Sequence, residues 1–156
     1  MRATAPIQIG APGRYDHHNG VSLNHPEPLV SQPLVVSERD VTREVWDDKI
    51  KGVLGFRTLF SRGTTPTATM TAGIADLNEG EWLGLHRHAP SEIYYIIDGE
   101  GIVTLEGVEH PVSAGTAVHI PGDAEHGIRN TSPTPLRFFY AFAVDSFDEV
   151  TYRFSE

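Results

Sequence analysis

From Phe56 onward the chain alternates between short runs rich in valine, isoleucine, threonine and aromatic residues and breaks that contain glycine, proline, aspartate or asparagine. The breaks recur about every eight to twelve residues, a spacing typical of short strands joined by tight turns. Asp98-Gly99 and Pro121-Gly122 are two of these turn signals. The pattern predicts an all-β sandwich or barrel. The predicted strands are Phe56–Phe60, Thr67–Leu77, Leu83–His88, Ile93–Ile97, Gly101–Leu105, Val108–Val112, Ala117–Ile120 and Leu136–Val144.

The first part of the chain carries a different pattern. Five of the eleven prolines fall within the first 33 residues, so residues 1–36 are predicted to form an extended or partly ordered arm. Ser37, followed by acidic residues, is typical of a helix N-cap, and a short helix is predicted from there to between Lys49 and Gly52. No internal repeat is visible. Residues 37–156 are therefore predicted to form one domain, long enough to bury a core.

The composition excludes several classes of function. The formal net charge is −9, from 21 acidic and 12 basic residues, and there is no basic run, which argues against a nucleic-acid partner. No apolar run is long enough to span a membrane, and the first residues lead into no signal-peptide-like stretch, so a cytoplasmic protein is expected. The chain has no cysteine, which excludes disulfides, thiolate metal ligands and cysteine nucleophiles.

One segment concentrates side chains that bind metals. Four of its residues are even-numbered: His86, His88, Glu92 and Tyr94. Since side chains two apart in a strand share a face, an extended backbone would place them on one side. Two imidazoles and a carboxylate that meet at one interior point suit a first-row divalent metal. A fourth ligand has to come from elsewhere, and His126, 34 residues after Glu92, can return across a barrel through the intervening hairpins.

The spacing of these residues resembles that of the cupins. Their first motif, G-x5-H-x-H-x3-E-x6-G, is matched over residues 80–99 by Gly80, His86, His88, Glu92 and Gly99. Their second motif, G-x5-P-x-G-x2-H-x3-N, is matched over residues 115–130 by Gly115, Pro121, His126 and Asn130. Asp123 stands where the second motif has its second glycine. Because aspartate also tolerates left-handed backbone geometry, this departure bears on the turn and leaves the ligand in place.

The resemblance implies a jelly-roll-like β-barrel that holds one divalent metal ion inside. The ligands carried over by position are His86, His88, Glu92 and His126. Fe2+ is favoured, and Mn2+, Ni2+, Co2+ or Zn2+ also suit histidine and carboxylate ligands. Such barrels commonly pair through exposed edge strands, so a homodimer is predicted.

Tyr94 lies two positions after Glu92 and is expected to face the same cavity. A nearby metal cation stabilises phenolate and lowers the pKa of a tyrosine, which lets it remove a proton from a metal-bound carboxylate substrate. The spacing H-x-H-x3-E-x-Y is similar to that of small bacterial cupins that cleave dimethylsulfoniopropionate (DMSP). This resemblance implies a lyase in which Tyr94 is the catalytic base and β-elimination releases acrylate and dimethyl sulfide. A sulfonium group favours aromatic faces, and Trp82, Tyr140 and Tyr152 are the predicted substrate-binding residues.

Two other functions stay open. An Fe(II)-dependent dioxygenase would use the coordination positions that three histidines and a glutamate leave free for O2 and a bidentate substrate. A non-catalytic, metal-containing binding module for a small molecule is the third alternative. Consumption of O2 separates the oxygenase from the lyase, because elimination proceeds without it.

Overall fold

Strands dominate the structure, a computed structural model that describes residues 31–155. The all-β prediction is confirmed, because regular structure in these residues consists of eleven strands and two single turns of 3-10 helix. The helical turns are Glu38–Asp40 and Phe147–Glu149. The strands are β1 (Glu44–Asp48), β2 (Gly52–Phe60), β3 (Thr71–Leu77), β4 (Trp82–Arg87), β5 (Glu92–Asp98), β6 (Glu100–Leu105), β7 (Val108–Ser113), β8 (Ala117–Ile120), β9 (His126–Asn130), β10 (Leu136–Phe142) and β11 (Arg153–Phe154).

One antiparallel sheet curls into a half-barrel. Along the sheet the order is β7-β6-β9-β4-β2-β3-β10-β5-β8, with β1 paired to β2 and β11 paired to β4. Three strands separate β4 from β5 in this order, although the two are consecutive along the chain. Their inward-facing side chains nevertheless meet, because the sheet curls around a common interior.

The interior is filled from both sides by alternating strands. In β10 every second residue is buried, and in β5 the pattern begins the same way. Tyr94 lies opposite Tyr140 in the β5–β10 pairing, and Ile96 lies opposite Phe138. All four side chains are buried. Each fully buried side chain of this size contributes about 1.5–3 kcal/mol through the removal of apolar surface from water.

The eight predicted strands are all present, with shifted boundaries. β2 begins at Gly52 rather than Phe56, and β3 begins at Thr71 rather than Thr67. Strands β1, β9 and β11 were not predicted. β9 contains Gly127, which is poor in strand preference, but it pairs with both β4 and β6, and this pairing outweighs the local preference.

The helix predicted from Ser37 is wrong beyond its first turn. Only Glu38–Asp40 is helical, and Ser37 makes no capping hydrogen bond through its side chain. The residues that follow form β1, which pairs antiparallel with β2. Asp48 closes this hairpin, because its Oδ1 accepts hydrogen bonds from the backbone N–H groups two and three residues later. Strand pairing and the packing of Trp46 against the core outweigh a weak helix preference.

The predicted N-terminal arm, residues 1–36, lies almost wholly outside the described residues. Residues 31–36 have no regular secondary structure. Within the described chain, no helix has the length and apolar character needed to cross a membrane. The division into an arm and a single domain over residues 37–156 stays a prediction.

Candidate metal centre

Four residues from three parts of the sheet meet inside the half-barrel. His86 belongs to β4, His88 follows that strand, Glu92 begins β5 and His126 begins β9. Each offers one ligand atom, and these atoms lie within 4.8 Å of one another. All four side chains are buried, with at most 3% of their surface exposed. The structure therefore brings together the whole predicted ligand set.

Sheet register places these side chains. His86 and His126 are direct partners in the pairing of β4 with β9. Glu92 comes in from the far side of the curl, where it pairs with Phe142 of β10. Asp123, in the turn before β9, has a φ of 63°, the left-handed geometry for which the motif favours glycine.

Each of the three histidines is oriented by a backbone carbonyl group. The Nδ1 atoms of His86 and His88 lie 2.8 Å from the carbonyl oxygens of Gly84 and Pro90. The Nδ1 of His126 lies 2.9 Å from the carbonyl oxygen of the residue two before it. A carbonyl oxygen only accepts hydrogen bonds, so Nδ1 must carry the proton in each ring. In the neutral ring Nε2 then presents a lone pair, as metal-binding histidines require.

The inward-facing atoms lack the hydrogen-bond donors that a metal-free polar cluster would need. Glu92 Oε2 lies 3.1 Å from Nε2 of His88 and 3.2 Å from Nε2 of His126. With neutral rings these contacts would join acceptor to acceptor. Nε2 of His86 is buried and has no hydrogen-bond partner among the described residues. A cation at the convergence point satisfies all four residues, and three imidazoles with one carboxylate suit a first-row divalent ion.

The titration of these groups follows from the same geometry. Burial, and then the charge of His126, lowers the pKa of His86 to about 3, so this ring keeps its lone pair at neutral pH. Burial also acts to lower the pKa of His88, but the hydrogen bond and charge of Glu92 outweigh it and raise the pKa. A metal ion and a proton therefore compete for the His88–Glu92 pair.

An aromatic cavity lies beside the ligand atoms. Its volume is about 30 Å³, enough for about two water molecules. Seven of its eleven lining residues are aromatic, and Glu92 is the one charged residue among them. The cavity therefore joins a polar end, where the ligand atoms converge, to an apolar aromatic wall.

Two of the three predicted substrate-binding residues line this cavity. The ring of Tyr152 lies next to the histidines, with its centroid 4.8 Å from that of His86 and 5.6 Å from that of His88. Tyr140 lines the cavity from β10, and its hydroxyl is 3.2 Å from the hydroxyl of Thr58. Burial raises the pKa of both tyrosines, so both stay protonated at neutral pH.

Trp82 does not reach the cavity. It is half-buried and lines an outer groove with Leu85 and Arg129. Trp82 is even-numbered like His86, but the two side chains do not share a face, because the pairing of β4 with β9 shifts between Leu83 and His86. Leu83 and His86 are both buried as a result, and Trp82 faces the outside of the sheet.

Tyr94 faces the interior, as its spacing predicts. It is 1% exposed, its ring centroid is 6.2 Å from that of His126, and it lines the cavity with Glu92. Its hydroxyl is buried and has no hydrogen-bond partner among the described residues. Burial, and then the charge of Glu92, raises the pKa of Tyr94 well above its usual value. A metal cation at the cluster would lower the pKa of Tyr94, because it stabilises the phenolate.

Sequence reasoning missed four aromatic residues of the cavity wall, which are Trp46, Phe56, Phe138 and Phe147. The ring of Trp46, in β1, is 5.1 Å from that of Tyr152 and 5.7 Å from that of Phe56. Phe147, in the second helical turn, stacks on Phe56 at 6.0 Å. Trp46 was missed because its segment was predicted to be helical. Asp48 and Gly52 are residues that favour turns, and they could have indicated a hairpin that places Trp46 on a strand.

Comparison with known proteins adds family context to this geometry. A family model for the cupin domain matches residues 73–142. Dimethylsulfoniopropionate lyase DddW of Ruegeria pomeroyi is 40% identical over 134 residues, which cover 86% of this chain and 88% of that protein. An oxalate-binding protein of Thermotoga maritima is 40% identical over 63 residues, 40% of this chain and 52% of that protein. The crystal structure of a predicted oxalate decarboxylase from T. maritima matches with a TM-score of 0.64 and 30% identity, over 71% of this chain and 99% of that one.

Proposed function

The chain belongs to the cupin superfamily, and from this premise we propose that it is a metal-dependent lyase that cleaves DMSP to acrylate and dimethyl sulfide. The observation that carries the proposal is the position of Tyr94. Its unpaired hydroxyl lies in the same cavity as Glu92, beside a cluster whose geometry fits a divalent metal. The similarity to a DMSP lyase over most of both chains supports the choice of substrate.

The proposed metal ligands are His86, His88, Glu92 and His126, which form the one group of histidine and carboxylate side chains among the described residues that could hold a metal ion. A metal ion held by these four side chains would keep open positions at which a substrate carboxylate could bind. When bound, the metal would polarise that carboxylate and make the adjacent carbon more acidic. Fe2+ is the first choice, with Mn2+, Ni2+, Co2+ and Zn2+ as alternatives.

Tyr94 is the proposed catalytic base. As phenolate, it takes a proton from the carbon next to the substrate carboxylate and becomes a neutral phenol. The electron pair of the broken C–H bond forms the C=C bond of acrylate. The C–S bond breaks at the same time, and its electron pair leaves with sulfur as dimethyl sulfide. The phenol then returns its proton to solvent before the next turnover.

Tyr140 and Tyr152 are the proposed substrate-binding residues. They line the apolar part of the cavity with their hydroxyl groups protonated, so they offer aromatic surface and neutral hydroxyls. A bound substrate would displace the water that this cavity can hold, which would strengthen the electrostatic interactions inside it. Trp82 takes no part in the proposed site, because it faces the outer groove.

The non-catalytic alternative has one observation in its favour. The oxalate-binding relative from T. maritima is as similar over its matched segment as the lyase is. That segment, however, covers 40% of this chain, whereas the match to the lyase covers 86%. The match to the lyase covers most of both chains, so it favours the lyase.

A direct assay separates the three functions. Protein loaded with each candidate metal is incubated with DMSP in sealed vials, with and without O2, and dimethyl sulfide and acrylate are both measured. The lyase predicts equal amounts of the two products at a rate that does not depend on O2. A requirement for O2 would support the dioxygenase instead. No product with any metal, together with tight binding of a small carboxylate, would support the binding module.

A further inference from the structure

Trp46 is one of three half-buried aromatic residues in the wall of the cavity beside the metal-binding cluster. It is half-buried on β1, and its ring forms edge contacts with Phe56 and Tyr152. Tyr152 in turn lies 4.8 Å from the ring of His86. The rings of Trp46 and Tyr152 therefore form a continuous surface that leads from the outer rim of the cavity to the ligand atoms.

The charges of the cavity differ at its two ends. A divalent ion together with the single carboxylate of Glu92 leaves net positive charge at the cluster, which attracts the carboxylate of a substrate and repels a cationic group. Among the described lining residues there is no lysine or arginine. The wall around Trp46 instead offers aromatic faces, which attract cations through the negative potential of the ring, and tryptophan does so most strongly.

We propose that Trp46 is a specificity-determining residue, which together with Tyr152 holds the cationic end of an onium carboxylate whose carboxylate lies at the metal-binding cluster. This inference rests on the proposed lyase function for the orientation of the substrate. It selects sulfonium or quaternary ammonium carboxylates over neutral carboxylates of the same shape. The residue acts through binding and takes no part in proton transfer.

The position of Trp46 also bears on how a substrate enters. A cavity of about 30 Å³ has room for only about two water molecules, so we expect part of its wall to move outward when DMSP binds. Trp46 lies on β1 and Tyr152 directly precedes β11, and each of these two strands has a single strand partner. β1 pairs with β2, and the two-residue strand β11, which follows Tyr152, pairs with β4. These elements have fewer hydrogen bonds to break than the strands inside the sheet, so the aromatic surface can move and then close on the cation.

The test uses two non-reacting ligands that differ in charge alone. They are trimethylammonioacetate, which carries a quaternary ammonium group, and 3,3-dimethylbutanoate, in which carbon replaces the nitrogen; neither has a leaving group on the carbon β to its carboxylate, so neither can undergo the elimination. Their dissociation constants are measured by calorimetry on the metal-loaded protein. The cationic ligand is expected to bind roughly 3- to 30-fold more tightly, the range that cation–π contacts provide. In Trp46→Leu this ratio should fall to about one, and in Trp46→Phe it should be intermediate.

The two tryptophans of the chain provide a matched control and a second measurement. Trp82→Leu changes the same residue type on the outer groove and should leave the ratio unchanged. In Trp82→Phe, Trp46 is the one remaining tryptophan, so its fluorescence should change as the cationic ligand binds. If Trp46 only stabilises the fold, Trp46→Leu weakens both ligands equally and keeps the ratio.

Two results would overturn this proposal: equal affinities in the unaltered protein, or an unchanged ratio in Trp46→Leu. Failure of the lyase proposal is distinguishable. A preference for the cationic ligand without cleavage of DMSP would contradict the lyase and leave the role of Trp46 supported. Cleavage of DMSP without a preference for the cationic ligand would support the lyase and contradict the proposed role of Trp46.

Discussion

Replacement of Tyr94 by phenylalanine removes one hydroxyl group and changes little else. This hydroxyl is buried beside the ligand cluster and has no hydrogen-bond partner among the described residues. The ring itself packs on Phe138, with a centroid distance of 4.7 Å, and the variant keeps that contact. The substitution therefore tests the chemistry of the hydroxyl separately from the packing of the ring.

The expected effects on stability and on activity have opposite signs. An unpaired buried polar group costs about 1–3 kcal/mol, so the free energy of unfolding of the metal-free Tyr94→Phe variant should be unchanged or higher by up to that amount. Loss of a general base lowers the rate about 10²- to 10⁴-fold. At about 1.4 kcal/mol for each tenfold, this corresponds to roughly 3–5 kcal/mol of lost transition-state stabilisation. A residue retained for packing alone would not show this combination.

The assay is release of dimethyl sulfide from DMSP, with urea unfolding and metal content measured on the same preparations. DMSP deuterated at the carbon next to the carboxylate should react more slowly with the unaltered protein, if proton removal limits the rate. Tyr95→Phe is the matched control, because Tyr95 is the next residue of β5 and is 47% exposed on the outer face. It should retain full activity.

Three outcomes would contradict the role proposed for Tyr94. A rate within threefold of the unaltered protein would mean that another group removes the proton. Loss of bound metal in Tyr94→Phe would mean that the hydroxyl is a ligand or positions one. Reduced stability with normal activity would assign the hydroxyl a structural role.

Three further predictions concern stability. At a free metal concentration of 100 times the dissociation constant, a divalent ion should stabilise the fold by about 2.7 kcal/mol and raise the Tm by roughly 5–11 °C in a thermal melt, whereas His86→Ala should show no such shift. In the metal-free protein burial lowers the pKa of His86 from its ordinary value of 6.5 to about 3. Between these two pH values the unfolded chain therefore binds more protons at His86 than the folded chain does. As the pH falls through this range, His86 lowers the free energy of unfolding. The free energy of unfolding in urea should therefore depend less on pH, between pH 4 and 6.5, when His86 is replaced by glutamine. The comparison is between His88→Gln and the double variant His86→Gln/His88→Gln, because the raised pKa of His88 has the opposite effect on stability. A Cβ at position 73 would overlap the carbonyl oxygen of Arg57 and the hydroxyl of Tyr140. Gly73→Ala should therefore lower the free energy of unfolding, measured in urea, by about 1–3 kcal/mol. It should also lower the rate of dimethyl sulfide release, because Tyr140 lines the proposed site.

The ligand cluster could be predicted from the sequence because strand periodicity and motif spacing are local signals. His86 and His88 are two residues apart, and extended backbone directs both inward whatever the rest of the fold does. The meeting of His126 with them depends on long-range pairing of β9 with β4, which the resemblance to a family supplied. The left-handed backbone of Asp123 followed from the motif, which has glycine at this position, together with the tolerance of aspartate for that geometry.

The aromatic wall could not be predicted in the same way, because it depends on irregularities. The register shift after Leu83 sends Trp82 outward, and no composition signal marks such a shift. Trp46 enters the cavity because β1 pairs with β2, and this pairing overrides an N-cap pattern at Ser37. The homodimer, the cytoplasmic location and the identity of the metal stay predictions, which light scattering, cell fractionation and metal analysis can test.

The central claim is that one metal ion is held by three histidines and a glutamate at the convergence point inside the half-barrel. Native mass spectrometry of the purified protein and of His126→Ala tests it most directly, since His126 comes from a different part of the chain from the other three ligands. The expected result is one divalent ion per chain in the unaltered protein, and loss of most of that ion in a variant that remains folded. Retention of the ion by folded His126→Ala, or no bound ion in the unaltered protein after addition of metal, would contradict the claim.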